Sequence, residues 1–188
     1  IDHNRNTRIF GGINEEASHY ILMPKEVFIT PELVLTYSME GKGGVSRNFH
    51  RWARDYKVSH GNLLRDILLN SWEGVYFGIN QPVMEQMIKD ISGLGGELFV
   101  MDDGWFGEKY PRDNDSTSLG DWIVCKKKLP NGIASLVKSA RDNHIKFGIW
   151  IEPEMVDDIS ELYEKHPDWI ICQKNRIPEK GRGGAQLV

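Results

Sequence analysis

The chain has 188 residues, with 23 basic and 27 acidic side chains, a net charge of −4 and 40% hydrophobic residues. That length and apolar content can bury a core, which excludes a disordered polypeptide. The scattered basic residues leave no footprint for nucleic acid or an anionic membrane surface, so neither is expected as a partner.

The first forty residues read as a β region. "HYILMPKEVFITPELVLTYS" mixes β-branched and aromatic residues with Pro24 and Pro31, which suits short strands with prolines at edges or turns. Residues 41–63 follow as a linking helix, with Ser46 expected as its cap and Phe49, Trp52, Ala53 and Tyr56 on one face. From residue 64 onward strands and helices alternate. "DILLNSW" is a first strand, and Asn80 caps a helix that carries Met84, Met87, Ile88 and Ile91 inward and ends at Gly95-Gly96. "ELFVMD" is a second strand. After a long polar loop, 132–144 forms a helix with Ile133, Leu136, Val137 and Ala140 inward, and "KFGIWIEPE" is a third strand. A short helix around 160–165 leads to "DWIIC", a strand-like piece.

Repeated strand-helix-strand units imply parallel strands with right-handed crossovers, in a TIM barrel or a doubly wound sheet. The phosphate-cradling loops G-x-G-x-x-G and G-x-x-x-x-G-K-[ST] do not occur, which favours the barrel. No apolar stretch reaches membrane-spanning length and no charged-then-apolar leader is present, which is compatible with a cytoplasmic setting. The start at Ile1 and the strand-like ending "GGAQLV" read as a fragment. Cys125 and Cys172 lie far apart, without CxxC or a nearby histidine pair, so neither a zinc site nor a disulfide framework is indicated.

The strand ends carry one kind of chemistry. Trp72 with Glu73, Asp102 and Asp103 with Trp105, and Trp150 with Glu152 and Glu154 all fall where a strand leaves the core. In open and barrel α/β proteins that edge holds the ligand. Carboxylates accept paired hydrogen bonds from vicinal hydroxyls and indole rings lie against the C–H face of a sugar, so the combination suits a carbohydrate. A tryptophan in a strand more often packs in a core, and Trp122 and Trp169 fit that plainer reading. Glu152, before Pro153, equally suits a turn cap or a lysine partner. Adjacent carboxylates beside buried residues repel each other and lose hydration unless something binds them, which favours a functional role for Asp102 and Asp103. Metal binding is a second use for such carboxylates. No histidine lies in these strand ends and no DxDxDG spacing occurs, so no metal and no cofactor are expected. The six histidines read as structural or solvent-facing; His166 stands before Pro167 at a helix end.

At these residues the chain resembles the α-galactosidases of glycoside hydrolase family 36. The matching stretches are "FITPELVLTYS", "LLNSWEGVYFGIN", "LFVMDDGWFG", "LGDWIVCKKKLPNG", "KFGIWIEPEMV" and "LYEKHPDWII", in the family's order across nearly the whole chain. The resemblance implies that residues 1–40 are the end of an N-terminal β-supersandwich, 41–63 a linker helix, and 64–188 roughly the first three units of the (β/α)8 catalytic barrel. It further implies that Asp102 and Asp103 grip galactose hydroxyls, that Trp72 and Trp150 line the same pocket, and that Arg182 in "KGRGGAQLV" reaches it. Additional residues separate Arg182 from "QLV", and Gly78 stands where the family often has an acidic residue; both are departures. The implied reaction is retaining hydrolysis of terminal α-galactosyl residues from melibiose, raffinose and related oligosaccharides. Its nucleophile and acid/base are aspartates on later strands, so no catalytic residue is expected here. A bacterial, cytoplasmic homo-oligomer, such as a tetramer, is the expected setting.

Three other readings remain open at this point. An α-galactosyl transferase of the raffinose-synthase kind would share the donor pocket. A non-catalytic carbohydrate-binding protein would keep the pocket and lack the acid or nucleophile. A metal-dependent barrel hydrolase is the third.

Overall fold

The structure is a computed structural model that describes residues 11–13, 19–173 and 175–188, the side chain of Arg182 excepted. It divides into two units, Ile1–Leu64 and Arg65–Val188.

In the first unit the helix α1 spans Gly41–Trp52 and continues as a π turn, Ala53–Lys57, closed by the Val58 N–H on the Ala53 carbonyl. The helix begins several residues before Ser46, so Ser46 is not its cap. It sits inside the helix near His50, and the N-cap position belongs to Glu40. The segment before the helix is tied to it: Asn48 Nδ2 donates to Thr36 Oγ1 at 3.0 Å and to the Tyr37 carbonyl at 3.3 Å. A Cβ at Gly44 would lie 2.0 Å from Ser38 Oγ, so only glycine allows this approach. Among the described residues of 1–40 no strand forms. The stretch nonetheless alternates, with Leu33, Leu35 and Tyr37 exposed and Val34, Thr36 and Ser38 half-buried. That is the period of a strand without a neighbouring strand to complete its ladder.

The second unit is built on three parallel strands, β1 (Leu68–Asn70), β2 (Leu98–Met101) and β3 (Lys146–Ile149), in the order β1-β2-β3. The register pairs Leu69 with Phe99 and Phe99 with Phe147, so these three residues share one face. Between β1 and β2 lie a single helical turn, α2 (Trp72–Val75), and the crossover helix α3 (Gln81–Gly93); α4 (Gly132–Asp142) connects β2 to β3. Asn80 caps α3 as its sequence predicts, its Oδ1 accepting the Val83 N–H at 3.1 Å, with Pro82 in the first turn. Met84, Ile88 and Ile91 of α3, Leu136 and Ala140 of α4, and Phe99 and Met101 of β2 form the core. Met87 and Ile133 pack at its margin.

The long loop between β2 and α4 is ordered by its polar contacts. Lys128 Nζ donates to the carbonyls of Phe77, Gly104 and Arg112 at 2.8–2.9 Å and pairs with Asp113 at 2.7 Å. Gly104 has φ +111, and a Cβ there would meet the Phe77 Cα at 3.1 Å, so the loop turns where no larger residue fits.

After β3 come β4 (Met155–Val156), the short helix α5 (Glu161–Lys165) and β5 (Gln186–Leu187), with β4 and β5 antiparallel. Ser160 and Asp121 together cap α5: Ser160 Oγ accepts the Tyr163 N–H, and the Asp121 carboxylate accepts those of Glu161 and Leu162 at 2.8 Å. "DWIIC" does not form the expected strand. Pro167–Trp169 is a 3-10 turn, because Pro167 cannot donate to a ladder, and only the Ile171 N–H reaches β5, at the Leu187 carbonyl. Trp169 is not core either; it is 52% exposed and stacks on His166.

Candidate active site

The parallel ladder runs past the ends of the strands, where Ser71 N–H donates to the Val100 carbonyl and Trp150 N–H to that of Met101. The residues after β1, β2 and β3 therefore arrive side by side. They enclose a cleft of about 400 Å³ lined by Trp72, Asp102, Asp103, Trp150 and Glu152. Four of the five residues expected to bind substrate thus meet in one place. The fifth, Arg182, opens a single turn at Arg182–Gly184, and its side chain lies outside the described residues. Glu73 and Glu154, which also follow strands, are exposed and do not line the cleft.

The two adjacent aspartates differ in surroundings. Asp102 is half-buried: Oδ1 accepts the Asp103 N–H at 2.8 Å, Oδ2 accepts Asn70 Nδ2 at 2.5 Å, and its own N–H donates to Ser71 Oγ. Asp103 is 3% exposed and is gripped by Arg112, whose Nε reaches both carboxylate oxygens at 3.0 and 3.2 Å and whose Nη2 reaches Oδ2 at 2.8 Å. Arg112 is itself buried beside the rings of Phe77 and Phe106, and its Nη1 donates to Asp157 at 2.8 Å and to the Thr117 carbonyl at 2.9 Å. One guanidinium thus sits between two buried carboxylates, a cluster with an excess of negative charge at the floor of the cleft. Burial pushes the Asp157 carboxyl above its ordinary value; the Leu119 N–H and Arg112 pull it down, and the Asp103 carboxylate adds to the rise.

The aromatic wall is held from behind. Trp105, which falls among the strand-end residues in the sequence, does not face the cleft; it is 4% exposed, and its indole N–H donates to the Trp150 carbonyl at 3.0 Å. Trp122 packs among Trp105, Phe106 and Trp150, consistent with the plainer core reading. Trp72 stands edge-on to Tyr76 and Phe77.

Sequence reasoning missed Asn70, Ser71, Arg112 and Asp157. The one available signal was indirect: two adjacent carboxylates at a buried strand end require a cation, and Arg112 lies nine residues beyond Asp103 in the loop that follows. Among the described residues no group of three or more His, Cys, Asp or Glu side chains is placed to hold a metal ion. Chemically, the cleft can accept hydroxyl donors on carboxylate oxygens between two indole walls. Asp102 and Asp103 are too close along one chain to stand on opposite sides of a bond, which both retaining and inverting glycosidases require.

Known proteins place this geometry. Residues 27–188 match the family model described as Melibiase. The α-galactosidase AgaA of Geobacillus stearothermophilus is 44% identical over the whole of this chain and a quarter of its own length. The bifunctional α-galactosidase/sucrose kinase AgaSK of Mediterraneibacter gnavus is 39% identical over 96% of the chain and 19% of its own length. The chain thus spans about a fifth to a quarter of these curated relatives. Among solved structures, a variant of AgaA in complex with 1-deoxygalactonojirimycin superposes with a TM-score of 0.74 at 42% identity, covering 81% of this chain and 21% of that one. Other AgaA variants were solved in complex with raffinose and with stachyose. These neighbours have a TIM-barrel catalytic domain, and this chain shows a partial α/β fold of three parallel strands and two crossover helices. By the extent of the family match and the identity of its relatives, the chain belongs to the melibiase family, with the α-galactosidases of glycoside hydrolase family 36.

Proposed function

We propose that this chain supplies the galactose-gripping part of an α-galactosidase that removes terminal α-galactosyl residues from oligosaccharides of the raffinose and melibiose kind, with retention at the anomeric carbon. The observation that carries the reading is the cleft in which Trp72, Asp102, Asp103, Trp150 and Glu152 meet at the carboxyl ends of parallel strands, in a member of the melibiase family. The complexes of AgaA variants with raffinose and stachyose support the substrate class.

In this reading Asp102 and Asp103 offer the hydroxyl-binding carboxylates, Asp103 held from behind by Arg112, and Trp72 and Trp150 the faces against which the ring lies. Retention needs two carboxyl groups about 5 Å apart, one attacking the anomeric carbon and one serving as acid and then base. Both belong to later barrel strands, outside this chain. Arg182 is carried as a further pocket residue. The alternating stretch 33–38 supports residues 1–40 as the end of a β-sandwich, with 41–63 the linker and 64–188 the opening of the barrel. A cytoplasmic bacterial homo-oligomer, a tetramer for example, completes the reading.

The test is hydrolysis of p-nitrophenyl α-galactoside by the full-length enzyme that carries this chain, wild type against Asp102→Ala. The expected result is an active wild type and a folded variant whose kcat/KM has collapsed. An inactive wild type, or an unaffected variant, would sink the reading. Asp103→Ala is the poorer probe, because it also strips Arg112 of a buried partner.

A further inference from the structure

Asn70, the last residue of β1, is not among the side chains lining the cleft, yet it binds both of its walls. Its Oδ1 accepts the Trp72 N–H at 2.7 Å, and its Nδ2 donates to Asp102 Oδ2 at 2.5 Å. The two ends of the amide cannot be exchanged: the backbone N–H requires the oxygen and the carboxylate requires the NH2, so the network itself fixes the orientation.

Asp102 is thereby held at three points. Asn70 occupies Oδ2, the Asp103 N–H occupies Oδ1, and Ser71 Oγ fixes the backbone N–H. A carboxylate has about four lone-pair directions over its two oxygens, so one protein donor on each leaves both able to accept a further hydrogen bond. Asp103 differs, since three guanidinium contacts fall on its two oxygens and leave one acceptor direction, on Oδ1. Paired acceptance from neighbouring sugar hydroxyls therefore falls to Asp102, and its aim depends on Asn70.

We propose that Asn70 is a positioning residue that locks the Asp102 carboxylate and the Trp72 backbone into one geometry, so that the hydroxyl-binding group and the aromatic wall are set together. The inference rests on the α-galactosidase reading and deepens it. A residue of this kind acts before the substrate arrives, by removing carboxylate rotamers that binding would otherwise have to freeze.

In the full-length enzyme, Asn70→Ala is expected to weaken galactose inhibition and to lower kcat/KM on p-nitrophenyl α-galactoside by about tenfold or more each, from the lower end for one hydrogen bond to a charged group upward. The thermal midpoint of each variant, measured beside the wild type, separates such a loss from unfolding. Asn70→Asp should lose more than Asn70→Ala, because it turns a carboxylate toward Asp102. In an Asp102→Ala background Asn70→Ala should cost little further, since its effect runs through the missing group. A loss of equal size in that background overturns the proposal, as does unchanged galactose inhibition in the single variant or a loss explained by unfolding at the assay temperature. A wild type without α-galactosidase activity would sink the reaction assigned above instead. The same cycle, followed by thermal shift with whichever of galactose, glucose or mannose the wild type binds, would then decide Asn70, and binding of none would remove both.

Discussion

Arg112 takes both oxygens of Asp103 with one side of its guanidinium and Asp157 with the other, all three side chains being buried. Replacing one member of such a group strands the rest: a buried charge without its partner costs about 3–5 kcal/mol. Arg112→Met should therefore destabilise the enzyme by about that amount, since it leaves two buried carboxylates facing each other, whereas Arg112→Lys keeps the charge and loses only the paired geometry. Denaturant titration of the two variants checks this; equal stability in Arg112→Met and wild type would mean the cluster is not the support it is taken for here. The carboxylates were legible in the sequence because they follow an apolar run that marks a strand end. Arg112 was not, because "EKYPRDND" is a polar stretch in which nothing local separates a buried arginine from a solvated one. Asn70 was hidden for a related reason: it closes a strand beside a conspicuous tryptophan, and its partner lies 32 residues away across the sheet.

Elements whose signals are local emerged as read. In α3 and α4 the apolar residues recur at helical spacing and Asn80 stands as a cap, so Asn80→Ala should lower stability by about 1 kcal/mol. The short helix α5 depends on residues outside itself, namely the Asp121 carboxylate on its first N–H groups. Burial raises the Asp121 carboxyl above its ordinary value of 3.8, more than the two helix N–H groups lower it. The folded state therefore holds this proton at pH values where the unfolded chain has released it. The stability linked to the group is present in full below the ordinary value and is lost as pH rises through the raised one. Asp121→Asn, which cannot titrate, should flatten this part of the pH dependence, so melting curves of the two proteins should diverge as pH rises from about the ordinary carboxyl value. Parallel profiles would refute the assignment. Where pairing is distant the sequence was less telling: β4 and β5 are two residues each and lie some thirty residues apart, too short for any period to show.

At the scale of the whole chain, three strands make an open sheet, not a closed barrel. Among the described residues β1 and β3 each pair only with β2, so each leaves an outer edge of backbone N–H and C=O groups without a ladder. The helices cover one face; the other presents Leu68, 50% exposed, and half-buried Leu98 and Val100, the residues that in a closed barrel would fill its interior. Residues 27–37 add Val27, Phe28, Ile29, Leu33, Leu35 and Tyr37 to the exposed apolar surface. Parallel sheets are stable when both faces are covered, and unpaired edges beside apolar surface recruit other copies. The cleft has a matching deficit in the proposed reading, which places the nucleophile and the acid/base on later barrel strands. The 188-residue chain expressed alone should thus associate into large particles by light scattering, melt without a sharp transition and show no α-galactosidase activity. A monomeric, cooperatively melting preparation of the short chain would mean that the open edges are blocked by contacts within it. Activity in that preparation would mean that a nucleophile and an acid stand among the carboxylates already described.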